Sequence, residues 1–475
     1  MYRSKKVKRE VDELTSDEDA KHAVLGTLAT LYPWMRPYYS RPIRDYARRL
    51  FEAPGPEAAL EIRSRSLAKL VGTIRNAGRR SGLPVDAISQ TCREFEERRV
   101  LQTGPHLLLL LEPEAYYTHL LSIIGLSAHG CSTYVSYAVT TVSLVERPRK
   151  GPGWLTIDGK PFNVFGLSRS RMNGYSVLTG AGPYRFELVP AERNAEADTL
   201  AHLRRLLPKP EFERPAHAIK AANLTLWPKL FGGSFSFLQI DDEDIADLVA
   251  DHLSDEDSWL RTRLLEDQCL TANILAGFER LAASPWSGWL ARGTDFFWLY
   301  ENGRRLSLRL VAGELVHAST GARVARFAAP DIVERLANRS LIPNMFLVLL
   351  VSSILPGVRA LGGSHQPLYY PLMRYVLCEA LEASGVDKDL RQALATDDLP
   401  SAWGHRAIEC NDEPVRLLTD GMNAISDLLD RVGGIPFAQA SGSMSSFVLD
   451  PSWQEFHKRL RQRVVSPNDA EWAFA

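Results

Sequence analysis

The chain has 475 residues, 45% of them hydrophobic and 24% charged, a balance that excludes a disordered or fibrous protein and predicts a soluble, globular one with a large core. The formal net charge of −1 excludes a global pull toward nucleic acid or an anionic membrane surface. Five cysteines, Cys92, Cys131, Cys269, Cys378 and Cys410, stand far apart with no CxxC pair, which argues against a zinc site or a disulfide framework and for a reducing cytoplasm.

The first 20 residues are polar and predict a frayed tail; they hold no apolar stretch of the signal-peptide kind. The run Met345 to Val351 is the longest purely apolar one and is too short to span a bilayer. From 20 to 100, LEIRSRSLAKLVGTIRNAGRR and AISQTCREFEERRVL repeat apolar residues at three- and four-residue spacing, so residues 1–100 are expected to be a helical region.

An α/β core is expected over 101–400. Its opening, LQTGPHLLLLLEPEAYYTHLL, sets a Thr-Gly-Pro-His turn before five leucines, and the leucines suit a buried parallel strand. A helix follows from Pro113, and YVSYAVTTVSL, residues 134–144, suits a second strand; together they make a βαβ unit. Residues 147–190 are dense in Gly and Pro and predict a β-rich insertion, either hairpins or a lid. Its Lys150, Arg169 and Arg171 are candidates to hold an anion, weighed evenly against a solvated surface.

Further on, FGGSFSFLQI predicts a strand entered through a glycine turn. The acidic runs Asp241 to Asp244 and Asp255 to Asp257 lie at helix starts, where capping and solvation explain them better than a metal does. Asn302-Gly303 between two strand-like runs predicts a hairpin. Leu341 to Tyr370 is the organising stretch: an apolar element, a proline break, a Gly-Gly turn, then polar residues delivered to a pocket. Residues 401–475 predict a helical extension without sustained heptads, with SGSMSS as a flexible turn.

No phosphate loop, dinucleotide fingerprint, zinc-protease motif or nucleophile elbow is present, and the 11 histidines show no metal spacing. His106 and His365 stand out because each sits at a glycine turn beside an apolar element.

Three stretches in order resemble the cysteine ligase family of bacillithiol biosynthesis: QTGPHLLLLLEPEAYYTHLL, TDFFWLYENGRRLSLRL and IPNMFLVLLVSSILPGVRALGGSHQPLYY. Pro113, Pro343, Asn344, Pro356, Gly362, Gly363 and Tyr369 match the family's positions. The resemblance implies a Rossmann-like core and carbon–nitrogen ligase chemistry. The departures are His106 for Gln, Gln366 for Glu, Val348 and Ser352 for Arg and Gln, His119 for Lys, and AVTTVS at 138–143 where the family carries an acidic-His cluster. The family's dimerising coiled coil is not visible, and a homodimer stays open.

The expectation is therefore a ligase- or transferase-like enzyme joining an amino acid or amine to a small acidic acceptor. His106, His365 and Tyr369 are the catalytic candidates, and Thr103, Gly104, Gly362, Gly363, Ser364, Gln366, Lys150, Arg169 and Arg171 the substrate-binding ones. No metal is expected. Joining needs an activated carboxyl or a leaving group, so a nucleotide such as ATP is an open cofactor. The alternative is a non-catalytic binding or scaffold protein on a degenerate ligase fold. Nucleic acid and membrane are not expected partners.

Overall fold

The computed structural model describes residues 17–55, 60–179, 182–191, 197–410, 412–419 and 425–473. Most of the polar tail expected to fray lies outside them. At the centre is an all-parallel sheet of β1 (Val100–Gln102), β2 (Thr133–Ala138), β3 (Ser236–Asp241), β4 (Arg359–Gly362) and β5 (Ser401–Trp403), in the spatial order β5-β4-β1-β2-β3. All six β2 residues are buried, as a strand covered on both faces requires. The chain lays down β1, β2 and β3 in one direction and then returns to add β4 and β5 on the other side of β1. The order thus reverses between β1 and β4, and loops leaving these two strands must diverge and open a crevice at their carboxyl ends.

The five leucines are not a strand, a correction to the sequence-based expectation. Leu107–Leu111 are buried, but the strand comes earlier, at Val100–Gln102, and the leucines cross the end of the sheet as a loop. Their backbone is satisfied from elsewhere: Asn223 Oδ1 accepts from Leu110 N at 3.0 Å, Asn223 Nδ2 donates to Leu108 O at 2.9 Å, and Leu107 N donates to Val139 O at 3.1 Å. A side-chain amide does the work of a neighbouring strand, so burial alone did not reveal the conformation. The second strand ends at Ala138, short of the expected Leu144, and the helix at Pro113–Ser127 forms as expected, buried on nearly every face.

The other expected elements form where local chemistry is strong. Phe297–Glu301 and Arg304–Val311 pair around Asn302-Gly303 within a second, antiparallel five-stranded sheet. The β-rich insertion contains a three-stranded sheet of Trp154–Ile157, Lys160–Asn163 and Val189–Pro190, together with a one-turn helix, Arg169–Gly174. Asp241 opens the helix Asp242–Ser254 with a reciprocal capping box. The solvation expected for that acidic run does not hold, because Asp241, Asp242 and Asp244 are buried, with Lys220 reaching Asp241 at 2.9 Å.

The organising stretch contains a strand that the sequence did not announce. Leu341–Pro343 joins the antiparallel sheet, a helix runs from Met345 and continues as a π-helical turn to Ile354, and Arg359–Gly362 is β4. The buried Arg359 guanidinium ties this strand to the carbonyls of Leu50, Glu52 and Leu399. The expected 401–475 extension begins inside the core sheet, since Ser401–Trp403 pairs with β4, and SGSMSS turns directly into the Ser445–Val448 helix. No helix among the described residues is long and apolar enough to cross a membrane.

Candidate functional site

A cavity of about 600 Å³ opens at the β1/β4 reversal. This volume falls in the range that holds small-molecule ligands. Thr103, Gly104 and His106 from the turn after β1, and Gly363, Ser364, His365 and Gln366 from the turn after β4, all line it, as does Tyr369. The two turns therefore face one cleft.

Close packing explains the glycines. Gly362 has room for no side chain because Gln366 lies against it. The Gln366 carbonyl oxygen accepts from Thr103 Oγ1 at 2.8 Å and from the Tyr369 hydroxyl at 2.9 Å, and its amide donates to Ser401 Oγ at 3.2 Å. These bonds lock the two turns together. A Cβ on Gly104 would lie 2.8 Å from His405 Cβ, and one on Gly363 would lie 3.1 Å from His405 Nδ1, so both turns close around the His405 ring.

Three histidine–carboxylate pairs surround the cavity. His106 Nδ1 lies 2.6 Å from Glu146 Oε1, His365 Nε2 lies 2.8 Å from Asp450 Oδ2, and His405 Nε2 lies 3.0 Å from Glu114 Oε1. Arg406 Nη1 stands 3.4 Å from the second Glu114 oxygen. Burial opposes ionisation of Glu114, but His405 and Arg406 hold its pKa down to about 2. Burial also opposes charge on His106, yet the Glu146 carboxylate raises its pKa above the ordinary value. At Asp450 burial is likewise outweighed, by His365, and the pKa is lowered.

Beside the uncharged segment AVTTVS, an ionisable group arrives from the start of the helix that follows β3. Asp242, just past β3, is buried and accepts from the Tyr137 hydroxyl at 2.6 Å, Thr140 N at 2.6 Å, Thr140 Oγ1 at 2.9 Å and Thr141 N at 2.8 Å. Burial raises its pKa despite these donors. His119 does not line the cavity. It is buried beside Tyr134, at 2.9 Å from the hydroxyl, and burial holds its pKa at about 3.

Lys150, Arg169 and Arg171 are not brought to the cavity. Arg169 and Arg171 sit on the exposed one-turn helix, and Arg147 lines the cavity in place of Lys150, which it faces across a tight β-bridge. Arg305 also lines it, donating to Thr141 O at 3.0 Å with its guanidinium 4.4 Å above the Trp298 ring. Glu114, Glu146, His405, Arg406 and Asp450 were not among the residues that the sequence pointed to, and Asp242 was singled out only within the acidic run Asp241 to Asp244, as a cap. A signal existed for one pair: Ser401 to Arg406 reads as a short apolar segment, a glycine, then His-Arg, the same strand-and-turn pattern as at His106 and His365.

Among the described residues, no group of three or more His, Cys, Asp or Glu side chains is placed to hold a metal ion. No family model matches the chain, and no curated protein matches it.

Proposed function

We propose that the protein is a ligase- or transferase-like enzyme with a Rossmann-like core, distantly related to the bacillithiol cysteine ligases, that joins an amino acid or other amine to a small acidic acceptor. The observation that carries the reading is the convergence of three histidine–carboxylate pairs on one cavity at the strand-order reversal. Joining an amine to a carboxyl or displacing a leaving group requires one proton to be taken from the amine and one to be given up to the departing oxygen. His106, held toward its protonated form by Glu146, suits the acid role. His365 and His405, each backed by a carboxylate, suit the base role. Arg147, Arg305 and Arg406 provide positive charge for the acidic acceptor. Gln366 and Tyr369, bonded to each other, fix the turns that carry His106 and His365. A nucleotide such as ATP is one source of activation.

The test is a thermal-shift and product-formation panel of amino acids and small carboxylates with and without ATP, read by mass spectrometry. Turnover should fall at least about a hundredfold in His365→Ala or Glu114→Gln. A flat response in folded protein would overturn the reading and favour a non-catalytic binding protein. That alternative draws support from Asp242, whose oxygens are already engaged by Tyr137, Thr140 and Thr141.

A further inference from the structure

The cavity has two unlike sides. The histidines, carboxylates and Arg406 gather at the ends of the parallel strands. The other wall, made by the helix Gln268–Ala282, the antiparallel sheet and the start of the Met345 helix, is largely apolar, with Arg292, Thr294 and Asn344 beside its hydrocarbon side chains. Leu275 and Phe278, three residues apart and so on one helix face, are only half-buried, and both line the cavity. Met345 also lines it with 45% of its surface exposed. Phe346 and Phe296 line it too: Phe346 is fixed edge-on to Phe278, with ring centroids 5.3 Å apart, and Phe296 stands 6.3 Å from Phe346. The wall is thus an aromatic and aliphatic surface that packs against the core on one side and faces an open cavity on the other. Arg305, lying on the Trp298 ring, marks its border with the polar side.

Such a wall recognises hydrocarbon, because removing its half-exposed apolar surface from water is favourable in proportion to the area covered. A charged head with no apolar group would leave that surface wet. We infer that the ligand of this cavity is an amphiphile, with its charged head among the histidines and arginines and a large aliphatic or aromatic group against Leu275, Phe278 and Met345. For the joining reaction, the amine is then a large hydrophobic amino acid. The ligand's identity as an amino acid rests on the function proposed above, whereas the apolar subsite rests on the wall itself.

Calorimetric titration of the full chain with glycine, leucine, phenylalanine and uncharged 3-phenylpropanol tests this. Covering a leucine- or phenylalanine-sized group corresponds to roughly a ten- to hundredfold gain in affinity over glycine. The gain should shrink severalfold in Met345→Gln, a change at an exposed position that leaves folding intact, and further in Leu275→Asn. Equal binding of glycine and phenylalanine, or an advantage for phenylalanine unchanged in both variants, would overturn the inference and leave the proposed reaction standing. Binding of 3-phenylpropanol that both variants weaken, with no amino acid bound, would uphold the apolar subsite and remove the amine-joining reading. No binding by any of the four would overturn both.

Discussion

Replacing Gly104 with alanine tests whether the two crevice turns are closed around His405. The new Cβ would stand 2.8 Å from His405 Cβ and 2.9 Å from its Cγ, against about 3.5–4.0 Å for carbon atoms in comfortable contact. The ring has little room to retreat. His405 N donates to Gly362 O at 3.0 Å, and its Nε2 lies 3.0 Å from Glu114. The turn is held as well, with Thr103 N donating to Leu361 O at 2.7 Å. Overpacking of this kind costs about 1–3 kcal/mol. Urea unfolding should therefore show a lower midpoint at unchanged slope. The companion His405→Gly removes all the clashing atoms, so the double variant should be less destabilised than the sum of the singles, by about 1 kcal/mol or more. A Gly104→Ala protein within about 0.5 kcal/mol of wild type, or strict additivity in the cycle, would refute the closed-turn argument.

Buried His119 sets an acid limit. Its folded pKa of about 3 lies below that of the unfolded chain, so the unfolded state binds the extra proton, and stability present above about pH 6.5 is lost as pH falls toward 3, on the order of 4 kcal/mol. His119→Asn should flatten that slope in pH-resolved denaturation. Glu112 behaves oppositely. Burial, offset in part by the Thr156 amide donating at 2.8 Å, raises its pKa to about 7, so its contribution is present below about pH 4.5 and is lost as pH rises through 7. Glu112→Gln should match wild type at pH 4 and exceed it by about 1–3 kcal/mol at pH 8, and equal stability at both values would contradict the burial argument. Arg63 and Asp397 form a buried fork with bonds of 2.7 and 2.9 Å. Arg374 Nη2 stands 3.6 Å from the same carboxylate, so Asp397→Ala should cost about 3–5 kcal/mol in chemical denaturation, and Arg63→Met with Asp397→Leu should recover only part of it.

Elements ruled by near neighbours in the chain were legible in the sequence. Asn302-Gly303 makes its hairpin because those two residues tolerate the left-handed turn, with φ of 51° and 73°. Asp241 starts a helix because its own carboxylate reaches the amides of Glu243 and Asp244. His106, His365 and the glycines around them were legible as turns that tip an apolar element. The pairing of chain segments was not. Leu107–Leu111 carry the apolarity of a strand but run as a loop, because Asn223, more than a hundred residues away, supplies their hydrogen bonds. Arg359–Gly362 is too short and too polar at its first residue to announce a central strand, and only the pairing with β1 and β5 on either side makes it one.

The site divides in the same way. By itself the sequence picked out the turns at His106 and His365 that line the cavity, since backbone chemistry acts over a few residues. Only the tertiary structure decided which carboxylate meets which histidine: Glu146 with His106, Asp450 with His365, Glu114 with His405. It also decided that Asp242 is held beside the uncharged segment at 138–143, and that Leu275, Phe278 and Met345 line a cavity. The physical reason is common to all of these. A residue's type and its near neighbours govern turn and cap geometry, whereas burial, pairing and ionisation depend on groups that only the folded sheet and its long connections bring within a few ångströms.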